Sequence, residues 1–170
     1  MMTWSRRAAL LGTILVCCVS CDQATKSVAT AGLAGRPPIS FLGDTIRLSY
    51  AENSGGFLSI GAGLPLAIRA WLFGVLSLAA LVALVAVTFR SRSIDRVQLV
   101  AVSLFVAGGI GNVIDRAIYG VVRDFLNVGI GPLRTGIFNV ADFAITVACV
   151  LLVIRVWTER ARSPREHDLT

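Results

Sequence analysis

The polar and apolar positions of this chain fall into long blocks, not into the short alternations of a water-soluble domain. Four blocks approach or reach the roughly 20 apolar residues that cross a bilayer. The first covers about Ala8–Cys21, with room to extend past Asp22 toward Ala31. The second, Leu66–Phe89, is interrupted only by Arg69; the third is Val97–Ile114 and the fourth Phe138–Trp157. The first connection, residues 22–65, is rich in Gly, Pro, Ser and Asn. Within it Ile39–Leu42 and Thr45–Ser49 alternate on either side of Gly43-Asp44, which predicts a short hairpin. An arginine-rich turn, Arg90–Arg96, joins the second block to the third, a polar segment 115–137 joins the third to the fourth, and 158–170 is a polar tail. The pattern predicts an all-α membrane protein of one domain, residues 1–170, with four transmembrane helices and a small sheet between spans one and two.

Composition agrees with lipid as the solvent. Of 170 residues 55% are hydrophobic and 15% charged, whereas a soluble domain has roughly 25% charged residues. The net charge of +6 raises the question of nucleic acid. Its arginines, however, flank the apolar blocks at Arg6, Arg7, Arg90, Arg92, Arg96, Arg155, Arg160, Arg162 and Arg165. Basic residues there orient a membrane protein, and with no dense basic run or zinc-finger spacing, no nucleic-acid partner is expected. Four spans put both termini and the Arg90–Arg96 turn on the cytoplasmic side, and segments 22–65 and 115–137 outside. Lys26, Arg36, Arg47, Arg116, Arg123 and Arg134 in the outer segments leave charge alone undecided. Cys17, Cys18, Cys21 and Cys149 lie in the first and last blocks without metal-binding spacing and read as small buried hydrophobes. Arg6-Arg7 followed by an apolar stretch has the form of a signal peptide, and Cys18-Val19-Ser20-Cys21 faintly that of a lipoprotein cleavage box. The chain nevertheless continues into further membrane, so an uncleaved first span is expected.

Ionisable groups at membrane depth are costly and mark a site by default. Under this topology Asp22, Lys26, Glu52, Asp115, Arg116, Asp124 and Asp142 gather at one face, joined by Asn53, Asn112 and Asn139. The sole histidine, His167, lies in the opposite tail, which removes Ser-His and Cys-His pairs and any His-ligated zinc. A Ser–Lys pair of Lys26 with Ser54 or Ser27 stays open. Two carboxylates sharing one proton can also hydrolyse a peptide without metal or cofactor: the ionised one takes a proton from water, and the protonated one donates to the carbonyl oxygen. Each acid has a structural alternative. Asp22 and Lys26 have the i, i+4 spacing of a helical ion pair, the reading favoured for them. Asp115, at the end of the third span, is better read as support, with Arg116 compensating it or the pair anchoring the next loop. Asn139-Val140-Ala141-Asp142 has capping-box spacing, which alone accounts for Asp142. Asp124, in the short extended segment Val121–Phe125, is equally a solvated loop aspartate. Gly108-Gly109-Ile110-Gly111-Asn112 reads first as close helix packing, and Asn53-Ser54-Gly55-Gly56 as a turn.

Taken in order, five motifs resemble the lipoprotein signal peptidase (signal peptidase II) family: Asp22-Gln23-Ala24-Thr25-Lys26, Asn53-Ser54-Gly55-Gly56-Phe57, Gly108-Gly109-Ile110-Gly111-Asn112-Val113-Ile114-Asp115-Arg116, Gly120-Val121-Val122-Arg123-Asp124-Phe125 and Phe138-Asn139-Val140-Ala141-Asp142. Each is weak alone; their order against four spans is specific. The resemblance implies a catalytic dyad of Asp124 and Asp142. It also implies Asn53, Gly55, Gly109, Asn112, Asp115, Arg116, Asn139 and Ala141 around site and substrate, with Asp22 and Lys26 mainly structural. The implied substrate is a prolipoprotein whose cysteine already carries diacylglycerol, cut just before that cysteine in the bacterial cytoplasmic membrane, in contact with lipid; oligomeric state stays open, with a monomer the default. The active site would face the outer leaflet, and globomycin-type cyclic peptides would inhibit it. A small extracytoplasmic sheet also belongs to the family fold. One departure is local: Thr135-Gly136-Ile137 stands where a proline is often found before Phe-Asn-x-Ala-Asp, which bears on the loop shape and not on the chemistry. The rival outside enzymology is a small transporter or binding protein using the same acids for protons or cations. That reading expects the acids nearer mid-span.

Overall fold

The computed structural model describes residues 2–56, 59–91 and 93–162; Phe57, Arg92, Arg165 and His167 lie outside these residues. The four apolar blocks become four helices: α1 (Trp4–Leu33), α2 (Leu66–Arg90), α3 (Arg96–Tyr119) and α4 (Val140–Arg162). At 1.5 Å per residue the 30 residues of α1 extend about 45 Å, well beyond a hydrocarbon core of about 30 Å. It does not stop at Asp22, because that carboxylate finds its partners inside the protein and needs no water.

Where each helix begins and ends is set locally. Asp95 caps α3 through a reciprocal pair of bonds: its Oδ1 accepts from the Gln98 N–H at 2.9 Å, and Gln98 Oε1 accepts from the Asp95 N–H at 3.0 Å. Gly120 ends α3 with φ 75°, a left-handed conformation open to glycine at little cost. α2 contains a π-helical stretch, Ala70–Leu76, which rotates its first turns relative to the rest.

α3 is the central helix. Half of its apolar window is buried, against 6%, 11% and 17% for α1, α2 and α4. Leu81 of α2 packs on Val102 and Val106 of α3, with Leu15, Phe105 and Val113 around them. On the outer faces Val16, Val82, Val153 and Ile154 are exposed, as residues facing lipid tails are. The cysteines belong to that outer surface: Cys17, Cys21 and Cys149 are exposed and Cys18 partly so. This corrects the expectation that they are buried. A small hydrophobe in a membrane span loses nothing by facing lipid.

The remaining chain forms a four-stranded antiparallel sheet in the order β1 (Ile39–Phe41), β2 (Ile46–Asn53), β3 (Val122–Ile130) and β4 (Leu133–Arg134). The expected hairpin supplies β1 and β2. The other half comes from the segment read as a polar loop after the third span, so the sheet joins both connections and does not lie between spans one and two alone. Between Leu48 and Ala51 the β2–β3 register slips by one residue, a bulge that brings Ala51 opposite Asp124. The two ends of the bundle differ in character. At one, Arg7 Nη1 donates to the Ser91 carbonyl at 2.7 Å and Arg155 pairs with Asp95 at 2.5 Å. At the other lie the sheet, Asp22, Asp115 and Asp142.

Candidate active site

Strand alternation decides what β3 presents. Arg123 and Asp124 are adjacent and both buried, yet they point to opposite faces of the strand. Arg123 turns toward α1 and α3. Asp124, 3% exposed, turns toward the start of α4.

The start of α4 is the capping box its spacing predicts. Asp142 Oδ2 accepts from the Asn139 N–H at 3.2 Å, and Asn139 Oδ1 accepts from the Asp142 N–H at 2.9 Å. Phe138, just before it, exchanges backbone bonds of 2.8 and 2.9 Å with Leu126 of β3. The loop that lacks the family's proline is held instead by Asn127, whose Nδ2 donates to the Thr135 carbonyl at 2.6 Å. Asn139 is thereby set beside Asp124, and its Nδ2 donates to Asp124 Oδ1 at 2.7 Å. One fully buried asparagine bridges the two carboxylates. Asn112 of α3 completes the link: its Nδ2 donates to Asp142 Oδ1 at 2.8 Å, and its Oδ1 accepts from Asn139 at 3.2 Å. Burial, and next the charge of Asp142, push the Asp124 carboxyl up to about 7.

Behind this pair lies a second cluster. Asp22 and Lys26 form the predicted ion pair at 2.8 Å. Lys26 also reaches Asp115 at 3.4 Å, and Arg123 reaches Asp115 at 2.8 Å. Two anions therefore face two cations. Gln23 stitches them together, donating to Asp22 and Asp115 at 3.1 Å each while Arg123 donates to its Oε1 at 3.1 Å. The cluster also grips α4, since the Ala141 N–H donates to Asp22 Oδ1 at 2.9 Å. Asp115 is not at the helix end, as the sequence suggested, but one turn inside α3, which continues to Tyr119. Its compensation comes from Arg123 and Lys26 and not from neighbouring Arg116.

Arg116 points elsewhere. Its Nη2 donates to the Gly55 carbonyl at 2.6 Å, the guanidinium lies 5.5 Å from the Phe73 ring centre, and buried Nε has no partner among the described residues. Asn53 shapes the loop it reaches: Gly55 N–H donates to Asn53 Oδ1 at 3.0 Å, and Asn53 Nδ2 donates to the Gly56 carbonyl at 3.2 Å. Gly55 is buried, and a Cβ there would stand 2.5 Å from the Ile60 carbonyl oxygen. Gly109 faces Leu81 of α2, whose methyls would lie 2.8 Å from an added Cβ, while Gly111 faces Asp22 at 2.6 Å. These glycines serve close packing, and Gly109 does not touch the carboxylates. Glu52 is exposed, held by Tyr50 at 3.0 Å, and Ser54 offers Lys26 no contact. Arg123, Gln23 and Phe73 were not singled out from the sequence. For Arg123 the signal was present: in a strand, the residue next to an inward aspartate faces the other way.

The arrangement brings together two buried-to-half-buried carboxylates, each accepting from an asparagine N–H. Comparison with known proteins places the chain in a family. Residues 14–158 match the family described as signal peptidase (SPase) II. The chain is 33% identical over 168 residues to the lipoprotein signal peptidase of Bifidobacterium adolescentis, covering 95% of this chain and 83% of that one. It is 36% identical to that of Parasynechococcus marenigrum, covering 93% and 94%. A solved bacterial membrane enzyme superposes with a TM-score of 0.77 at 26% identity, covering 90% of both chains. This multi-pass bacterial membrane protein belongs to the signal peptidase II family.

Proposed function

We propose that the chain is an aspartyl endopeptidase that removes signal peptides from diacylglyceryl-modified prolipoproteins, cutting just before the lipidated cysteine, with Asp124 and Asp142 as its catalytic pair. The observation that carries the reading is the bridged pair itself. Two acids from distant parts of the chain share Asn139, and Asp124 is held up to about 7, a range where a carboxyl can still donate a proton at neutral pH. A water between them loses a proton to one carboxylate as its oxygen attacks the scissile carbonyl, and the other carboxyl protonates the carbonyl oxygen. Collapse of the tetrahedral intermediate breaks the C–N bond, returns one proton to the leaving nitrogen and restores the pair.

The name shared by the relatives, lipoprotein signal peptidase, supports the substrate class. In this reading the site end of the bundle faces the outer leaflet of the cytoplasmic membrane and both termini face the cytoplasm. The substrate's signal helix lies against α2–α4 with its diacylglycerol in the bilayer, and the Arg116 guanidinium, oriented by the Gly55 carbonyl, meets a substrate carbonyl through an Nη group. A monomer suffices, since both acids come from one chain. Asn53, Gly55, Asn112, Asp115, Asn139 and Ala141 support the site or substrate, while Gly109, remote from the acids, supports it through helix packing. A globomycin-type cyclic peptide would compete for the same carboxylates. The test is a gel-shift assay on a diacylglyceryl-modified precursor beside its unlipidated form. Cleavage of the lipidated form alone, blocked by the cyclic peptide, is expected; equal cleavage of both forms would contradict the substrate assignment.

A further inference from the structure

The amide orientations of the two bridging asparagines are dictated by groups that can only donate. An ammonium has three N–H donors and no acceptor. The Asn112 atom 3.0 Å from Lys26 Nζ is therefore Oδ1, which obliges Nδ2 to face Asp142 Oδ1. Turning the amide over would set its NH2 against the ammonium and its carbonyl against a carboxylate. Asn139 is fixed in the same way by the main chain: the Asp142 N–H takes Oδ1, leaving Nδ2 for Asp124 and for Asn112 Oδ1. Lys26 cannot drift from this duty. It is fully buried and tied to Asp22 at 2.8 Å and Asp115 at 3.4 Å, and Arg123 balances the second of those charges.

The consequence is an asymmetry between the two acids. Asp142 receives an N–H on each oxygen, from Asn112 and from the Asn139 backbone. Asp124 receives one close donor, Asn139 Nδ2 on Oδ1 at 2.7 Å, and a weaker one from the Asn53 side chain, so of the two acids it is the less stabilised as an anion and the one that holds the shared proton. We infer that Lys26 is a positioning residue for the reaction: by holding the Asn112 amide with its NH2 toward Asp142, it makes Asp142 the base that activates water and Asp124 the acid that protonates the carbonyl oxygen. This rests on the aspartyl reading above. In the forward step the water proton goes to Asp142 and the Asp124 proton goes to the carbonyl oxygen. In the collapse Asp142 gives its proton to the leaving nitrogen while Asp124 recovers its own. The position of Asp124, up to about 7, accords with it as the proton holder.

The experiment uses the full chain in detergent with a diacylglyceryl-modified precursor. Lys26→Met is expected to lower kcat by about 30-fold or more with KM within about threefold, since Lys26 touches no substrate. Lys26→Arg, whose guanidinium can still donate to Asn112 Oδ1, recovers most of the loss. Asn112→Asp keeps an oxygen toward Lys26 and puts another against Asp142; the same fall in kcat is expected in the folded variant. That variant carries the test if Lys26→Met does not fold. A folded Lys26→Met or Asn112→Asp enzyme with wild-type kcat overturns the inference. So does a Lys26→Arg enzyme as impaired as Lys26→Met with its loss confined to melting temperature and KM, the mark of a purely structural lysine. Asp124→Asn and Asp142→Asn run alongside separate the two claims. If either cleaves, the aspartyl reading itself falls; if both are silent while Lys26→Met is active, only the role of Lys26 falls.

Discussion

At the scale of single residues, the chain keeps an acid in a place that costs it stability. Asp124 is buried beside another carboxylate and titrates near 7 in the folded protein, against about 3.9 in an unfolded chain. The folded state thus binds this proton more tightly than the unfolded state does. Its contribution is fully present below about pH 4 and is lost as pH rises through about 7. Asp124→Asn removes the penalty, so the variant should melt several degrees above the wild type at pH 8 and by a smaller margin at pH 5. Calorimetry at the two pH values checks this; equal margins would contradict it. The cleavage rate should likewise fall as pH rises above about 7, because the acid is then deprotonated. Residue-scale features were the most legible in the sequence when they were local. The Asp22–Lys26 pair and the Asn139–Asp142 box follow from spacings of four and three. The bonds from Asn112 to Asp142 and from Arg116 to Gly55 span 30 and 61 positions, and no local pattern announces them.

At the scale of elements, the buried cluster of Asp22, Lys26, Asp115 and Arg123 ties α1, α3 and β3 together. Removing one member leaves an uncompensated charge among groups that are almost fully buried. Arg123→Met should therefore destabilise the protein by about 3–5 kcal/mol, read from thermal unfolding in detergent. A loss below about 1 kcal/mol, the range of a surface ion pair, would show that the cluster is solvated. Gly111→Ala sets a methyl 2.6 Å from Asp22 Oδ2, an oxygen that Lys26 and Gln23 hold in place. The expected cost of this overpacking is about 1–3 kcal/mol, measured the same way. The elements themselves were unevenly legible. Four apolar blocks gave four helices with ends within a few residues, except where Asp22 and Asp115 were taken for boundaries; paired internally, both sit inside helices. β3 was seen only as the extended segment Val121–Phe125. Its continuation interleaves Val128 and Ile130 with Asn127 and Gly129, which strands disfavour, and is held by pairing with β2, from which two helices separate it in sequence.

At the scale of the whole molecule, the two ends of the bundle carry different chemistry, and the proposed orientation follows from that difference. Leu42, at the exposed hairpin turn, and Ser93, exposed between α2 and α3, lie on opposite ends. As single cysteines in intact cells, with the four lipid-region cysteines replaced, Leu42→Cys should react with a membrane-impermeant maleimide and Ser93→Cys only after permeabilisation. The reverse pattern would invert the topology and remove the site from the outer leaflet. The central claim, that Asp124 and Asp142 together perform the cleavage, is tested most directly by assaying Asp124→Asn and Asp142→Asn on a diacylglyceryl-modified precursor. Each variant, folded and with intact helical signal, is predicted to lose at least about 100-fold in rate. Cleavage at the wild-type rate by either one would contradict the account.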